Sequence, residues 1–291
     1  MKPVCVVTGK NGQLGRTLQT LSGDVPDIQF LFFDRTEMDI TSAEQVETVF
    51  RKYTPAYLIN AAAFTQVDQA ESDQVAAYKT NTEAVRHLAI CCSRYQCKFI
   101  HISTDYVFDG TSEVPYMEND KTNPINYYGY TKWQGEVIAV QQHPDSMIIR
   151  TSWLYSEHGH NFVRTMIRLM KERKELRIVH DQTGTPTYAA DLAAALLNIV
   201  QVSEQKNGIW HPGIFHFTNK GQATWFEFAY TIRKLLHLDN VIQPLLTSEY
   251  PTAAKRPSFS ILDTQKFRTH FDTVIPSWQE SLKLCLFNLE K

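Results

Sequence analysis

Val4-Cys5-Val6-Val7-Thr8-Gly9-Lys10-Asn11-Gly12-Gln13-Leu14-Gly15 runs from a short apolar segment straight into three glycines spaced Gly-x-x-Gly-x-x-Gly. Val4 to Thr8 reads as a buried strand and the residues after Gly12 as the start of a helix. Without side chains at Gly9, Gly12 and Gly15, the turn between them can be tight. Its backbone can approach a pyrophosphate closely, and the helix packs down with its N-terminus facing the anion. Asn11 lies within the turn and is counted with its candidate cofactor contacts; Gln13 and Leu14 follow it into the helix. A plain strand-to-helix turn would also use glycines, so the stretch needs support from the rest of the chain.

That support comes from alternation. Further short apolar runs at Ile28 to Phe33, Ala56 to Asn60, Lys98 to Ser103 and Met147 to Arg150 are separated by helical patterns, the signature of parallel strands joined by crossover helices. Ser42 to Tyr53 starts at a natural N-cap and carries Val46, Val49 and Phe50 at helical spacing, and Ser72 to Arg94 is long enough for one full crossover helix. The expected fold is α/β: a doubly wound parallel sheet of the Rossmann type over residues 1–150. Residues 151–291 form a smaller, mainly substrate-binding part that could interleave with the first, with helices near Asn161 to Arg173, Ala189 to Val202 and Thr224 to Leu236. No flexible linker separates the two, so they share an interface, with the active site between them.

Chemistry gathers where open α/β sheets bind ligands, beyond the carboxyl ends of the strands. Asp34 ends the second expected strand, where an acidic side chain accepts hydrogen bonds from an adenosine ribose and favours NADH. Arg35 follows and could pair with a 2′-phosphate, which keeps NADPH open. Asp39 is either an adenine contact or a polar turn residue. At the end of the fourth strand come Ser103-Thr104-Asp105: Thr104 could orient a carbonyl, Ser103 could bond its own backbone, and Asp105 could touch substrate or cap the turn. Tyr128 and Lys132, in Tyr127-Tyr128-Gly129-Tyr130-Thr131-Lys132, are an i, i+4 pair if the segment is helical. An ammonium beside the phenol would lower a pKa that is ordinarily about 10 and make Tyr128 a usable proton donor.

Composition narrows the class. The balance of 29 Lys and Arg against 31 Asp and Glu gives a net charge of −2, with no basic footprint for nucleic acid. No stretch of about 18 apolar residues offers a membrane span. Met1-Lys2-Pro3 leads directly into the first strand, so the expectation is a cytoplasmic protein. Cys5, Cys91, Cys92, Cys97 and Cys285 are odd in number and lack zinc spacing, which reads as reduced thiols and no metal.

Taken together, the glycine turn, Asn60-Ala61-Ala62-Ala63, Ser103-Thr104-Asp105 and Tyr128/Lys132 resemble an extended short-chain dehydrogenase/reductase. Asn60 through Glu71, Arg150-Thr151-Ser152-Trp153, Asp181-Gln182-Thr183-Gly184-Thr185-Pro186-Thr187 and Arg256-Pro257 are similar to the dTDP-4-dehydrorhamnose reductase family over nearly the whole chain. The resemblance implies reduction of a dTDP-4-dehydro-β-L-rhamnose by NADPH or NADH. Tyr128 would then be the proton donor, Thr104 its assistant, and Lys132 the residue that binds the nicotinamide ribose and lowers the tyrosine's pKa. Gly12, Gln13, Leu14, Asp34, Asp39, Ile40, Ala62, Ala63 and Thr65 match cofactor contacts, and Thr104, Asp105 and Trp153 match substrate contacts. Trp153 could otherwise be a core aromatic, and Arg256 either holds the substrate diphosphate or is an ordinary surface arginine. Some members bridge subunits through magnesium held by an acid early in the first helix. This chain has Arg16 and Thr17 there, so no such metal is expected, while a homodimer stays open. Two other readings keep the same fold: a sugar-nucleotide epimerase that retains its NAD, and a non-catalytic regulatory subunit of the methionine adenosyltransferase type.

Overall fold

The structure, a computed structural model, describes residues 2–205 and 208–289. Its centre is a six-stranded parallel sheet. Five strands are β1 (Val4–Thr8), β2 (Gln29–Phe33), β3 (Tyr57–Asn60), β4 (Lys98–Thr104) and β5 (Met147–Thr151). The sixth, Gly213–His216, adds to the β5 edge, giving the spatial order β2-β1-β3-β4-β5 and then the late strand. β3 is buried along its whole length, which explains why these strands read as continuous apolar runs and not as alternating ones. The order changes direction at β1 and β3, and the carboxyl ends on either side of that switch open the crevice.

Each face of the sheet carries its own core. On one side Leu14 and Leu18 of helix α1 (Gln13–Leu21) pack with Leu192 and Leu196 of the helix Ala189–Ser203. On the other side Val46, Val49 and Phe50 of helix α2 (Ala43–Tyr53) meet Leu88, Cys91 and Cys92. Ser42 caps α2 by accepting from the Gln45 N–H. A third core, with Tyr155, Met166, Phe228 and Trp278, sits under the later helices Phe162–Glu172, Trp225–Leu235 and Trp278–Leu289. A division of the chain at residue 150 therefore leaves one late strand and two late helices, Ala189–Ser203 and Gln265–Phe271, on the first sheet. Among the described residues, no helix is long and apolar enough to cross a membrane.

The long crossover expected from Ser72 to Arg94 is broken. Ser72 ends a short helix α3 (Val67–Ser72), and Asp73 caps α4 (Gln74–Tyr78) through the Ala76 N–H. A π-helical turn over Lys79–Glu83 follows, before α5 (Ala84–Tyr95). The π turn has a local cause: the buried Asn81 side chain bonds both the N–H and the carbonyl of Phe64, at 2.8 and 3.0 Å. The extra residue thus ties the loop after β3 to the helix. Helix α6 (Tyr127–Gln142) then returns to the sheet, capped by Asn126, which accepts from the Gly129 N–H.

Candidate active site

The glycine turn forms a cradle that any added side chain would fill. Gly9 has φ +76°, and a Cβ there would lie 2.7 Å from the backbone of Ala61 and Ala62. At Gly15 a Cβ would meet the Gly9 carbonyl oxygen at 2.1 Å. α1 begins with Gly12 as N-cap and no side chain capping it, so its first N–H groups face the crevice free of side-chain partners. These residues fit a dinucleotide pyrophosphate.

A cavity of about 1020 Å³ extends from this turn across the ends of β3, β4 and β5. Asn11, Gly12, Gln13 and Leu14 line one end; Ala63, Thr65, Thr104, Asp105, Tyr128 and Lys132 line its middle; Trp153 and Trp225 close the far end. Eight expected residues do not line this cavity, and seven of them fall into three groups. Gly9, Gly15 and Ala62 build the turn from behind, with the Ala62 N–H 3.3 Å from Thr8 Oγ1. Ile40 is core. Asp34, Arg35 and Asp39 sit at the outer rim: Asp34 accepts from the Asn11 amide at 3.1 Å and from the Thr36 hydroxyl at 2.7 Å. The Arg35 side chain is 81% exposed and turns to Asp39 at 3.4 Å.

Arg256 is the eighth. It is neither at the main cavity nor an unengaged surface group, because its guanidinium donates to both oxygens of Asp68, at 3.0 and 2.6 Å. It lines a second cavity of about 720 Å³ behind Trp225.

At the centre, burial decides the electrostatics. The phenol of Tyr128 is pushed up to about 12, first by burial and further by the Asp105 charge, while a hydrogen bond from Thr104 pulls the other way. Lys132 is 2% exposed, and burial lowers its ammonium to about 8 against a small opposing effect of Glu136. The expectation that Lys132 depresses the phenol is not met in this structure. The lysine Nζ instead donates to the Ile102 carbonyl at 2.6 Å and lies 3.4 Å from His101 Nε2. Asp105 is raised to about 6 by burial, despite hydrogen bonds from Ser260 and Thr104. Its Oδ1 accepts from the Thr104 hydroxyl at 3.0 Å, and its buried Oδ2 has no protein partner. Ser103 does not bond its own backbone: its hydroxyl donates to Glu136, which also receives a bidentate pair from the buried Arg150.

The aromatic end was half visible in the sequence. Trp153 has φ +44°, a left-handed conformation rare outside glycine, and its indole stacks on Trp225 with centroids 3.5 Å apart. Gly184 makes room for it, since a Cβ there would be 2.5 Å from the indole. Trp225 was missed because it is the first residue of a later helix. The only signal available was the glycine inside Asp181 to Thr187.

A Rossmann sheet with a threonine at the end of β4, a tyrosine and a lysine one turn apart on α6, and a glycine-rich helix N-terminus beside them defines an extended short-chain dehydrogenase/reductase. The family described as RmlD substrate binding domain matches residues 1–291. A dTDP-4-dehydrorhamnose reductase of Aggregatibacter actinomycetemcomitans is 39% identical over 284 residues, covering 96% of each chain. The crystal structure of the Bacillus anthracis str. Ames dTDP-4-dehydrorhamnose reductase, in complex with NADP, superposes with a TM-score of 0.93 at 38% identity, over 99% of this chain and 100% of that one. The ortholog from Clostridium acetobutylicum ATCC 824 gives 0.92 at 39% over the same shares. The chain belongs to the dTDP-4-dehydrorhamnose reductase family.

Proposed function

We propose that this protein reduces the C4 keto group of dTDP-4-dehydro-β-L-rhamnose to give dTDP-L-rhamnose, drawing on NADPH or NADH. The observation that carries the reading is the single cavity joining the bare N-terminus of α1 to Thr104, Tyr128 and Lys132. The bound nicotinamide supplies hydride; everything else is the work of side chains. Gly12, Gln13 and Leu14 receive the pyrophosphate, with Gly9 and Gly15 keeping the backbone close and Asn11 at the edge. Ala62, Ala63 and Thr65 flank the cofactor, and Asp34, Arg35, Asp39 and Ile40 form its adenosine end. Lys132 holds the ribose through its ammonium.

With the phenol at about 12, Tyr128 carries its proton at neutral pH and is a weak acid, so it gives that proton up only to a strongly basic oxygen. It gives its proton to the C4 oxygen as that oxygen becomes an alkoxide, and Thr104, on turning its hydroxyl away from Asp105, donates to the same developing charge. Asp105 offers its unpartnered oxygen to a sugar hydroxyl, and Trp153 supplies a flat apolar wall. Arg256 reaches the diphosphate only by leaving Asp68.

Loss of reduced-nicotinamide absorbance with dTDP-4-dehydrorhamnose as substrate tests the assignment, and one cofactor consumed per sugar reduced is the expected result. Sugar interconversion without net consumption would make the protein an epimerase. Binding without turnover would make it a regulatory relative.

A further inference from the structure

Sheet register sets Thr8, Asn60 and His101 side by side on β1, β3 and β4. All three are buried, and the row continues to Lys132 of α6. The Thr8 hydroxyl donates to Asn60 Oδ1 at 2.6 Å, and the Ala62 N–H approaches the same oxygen at 3.3 Å. A backbone N–H can only donate, so it fixes which end of the Asn60 amide is oxygen. The NH₂ end therefore faces His101 Nδ1, 3.0 Å away. Burial, and then the Lys132 charge, lower the imidazole pKa well below its ordinary value, so the ring carries one proton. With Nδ1 accepting from Asn60, that proton is on Nε2, 3.4 Å from Lys132 Nζ.

An N–H facing an ammonium is a donor facing a donor, whereas facing a neutral amine it makes a hydrogen bond. We propose that His101 is a positioning residue for Lys132: its Nε2–H keeps the amine against β4 and loosens its hold on the proton until a ribose hydroxyl takes the lysine over. The other groups around Lys132 do not supply this donor. Glu136, one turn along α6, is engaged by Arg150 of β5 and Ser103 of β4. Tyr128, one turn earlier, makes no hydrogen bond to Lys132, whose Nζ meets only His101 and the Ile102 carbonyl among the described residues.

The inference rests on Lys132 as the ribose-holding ammonium, and two measurements test it. Nitrogen-15 shifts of the His101 ring in the wild-type protein should show the Nε2–H tautomer with Nδ1 as acceptor; an Nδ1–H tautomer overturns the proposal. NADPH affinity against pH should weaken as Lys132 loses its proton. His101→Leu should move that midpoint upward by about one pH unit, tenfold in proton affinity, as one hydrogen bond would. A histidine that merely filled space would lower stability and leave the midpoint in place, and an unmoved midpoint in folded His101→Leu overturns the proposal. Should the variant not fold, the wild-type tautomer decides alone. Wild-type protein that binds no NADPH at any pH counts against the proposed function and leaves the tautomer criterion standing.

Discussion

The two ends of the active cavity are built by different means. At the glycine turn the backbone itself makes the surface: Gly9, Gly12 and Gly15 remove side chains so that α1 can seat against β1 and β3. At the far end the surface is a pair of stacked indoles, Trp153 and Trp225, brought together from distant parts of the chain over Gly184. A backbone site depends on a few consecutive residues, so it tolerates almost no change. A side-chain wall has neighbours that can repack, so it should yield gradually.

Tyr128→Phe, at the junction of the two ends, gives the largest expected effect: turnover falls by roughly 10²–10⁴ while NADPH affinity holds. Stopped-flow absorbance together with a binding titration measures both, and near-normal turnover would remove the tyrosine from the proton step.

Gly15→Ala probes the backbone end. Its Cβ would stand 2.1 Å from the Gly9 carbonyl oxygen, so the turn has to move. Overpacking of this kind costs about 1–3 kcal/mol, and NADPH binding should fall together with Tm. An unchanged Tm and cofactor affinity would show that the cradle is looser than its geometry.

At the seam between the ends, Asp105 gives a pH test. Its carboxyl is raised to about 6 by burial, so the folded protein keeps a proton that the unfolded chain releases at ordinary carboxylate pH. Stability should therefore fall as pH rises from about 4 to about 6, by up to roughly 1.4 kcal/mol per pH unit. Asp105→Asn should flatten that slope in pH-dependent unfolding; a slope that survives the substitution places its origin elsewhere.

Trp225→Leu probes the side-chain end. Losing the stack forfeits about 0.5–1.5 kcal/mol beyond the buried area, which should appear as a several-fold rise in KM for the sugar nucleotide with NADPH affinity unaltered. Equal losses for both ligands would mean that the two ends are mechanically one.

The same contrast explains what the sequence showed. β1 matches its expected bounds and β2 to β5 lie within a residue of theirs, because buried parallel strands leave continuous apolar runs. Tyr128, Lys132 and Thr104 were legible from local spacing on one helix and one strand end. The late strand Gly213–His216 and Trp225 were not, since their partners lie far off in sequence. The π turn at Lys79–Glu83 was hidden for a related reason: it exists to let Asn81 bond Phe64, a contact with no periodic signature. The pairing of Arg256 with Asp68 was not legible, because an arginine's partner cannot be seen from its neighbours in sequence.

Arg35→Ala should have the smallest effect. Read from sequence alone, Arg35 beside Asp34 could pair with a 2′-phosphate. In the structure its side chain is exposed and turned to Asp39, and the Asp34 carboxylate is already engaged by Asn11 and Thr36. A 2′-phosphate would have to draw the guanidinium away from Asp39, into solvent-screened surroundings where such pairs contribute little. Arg35→Ala should therefore reduce the preference for NADPH over NADH by about fivefold at most. The ratio of kcat/KM for the two cofactors, measured at low and at high salt, decides it. A much larger loss that salt does not weaken would mean that the rim closes over the adenosine end when cofactor binds, so that Arg35 belongs with the backbone end and not with the adaptable wall.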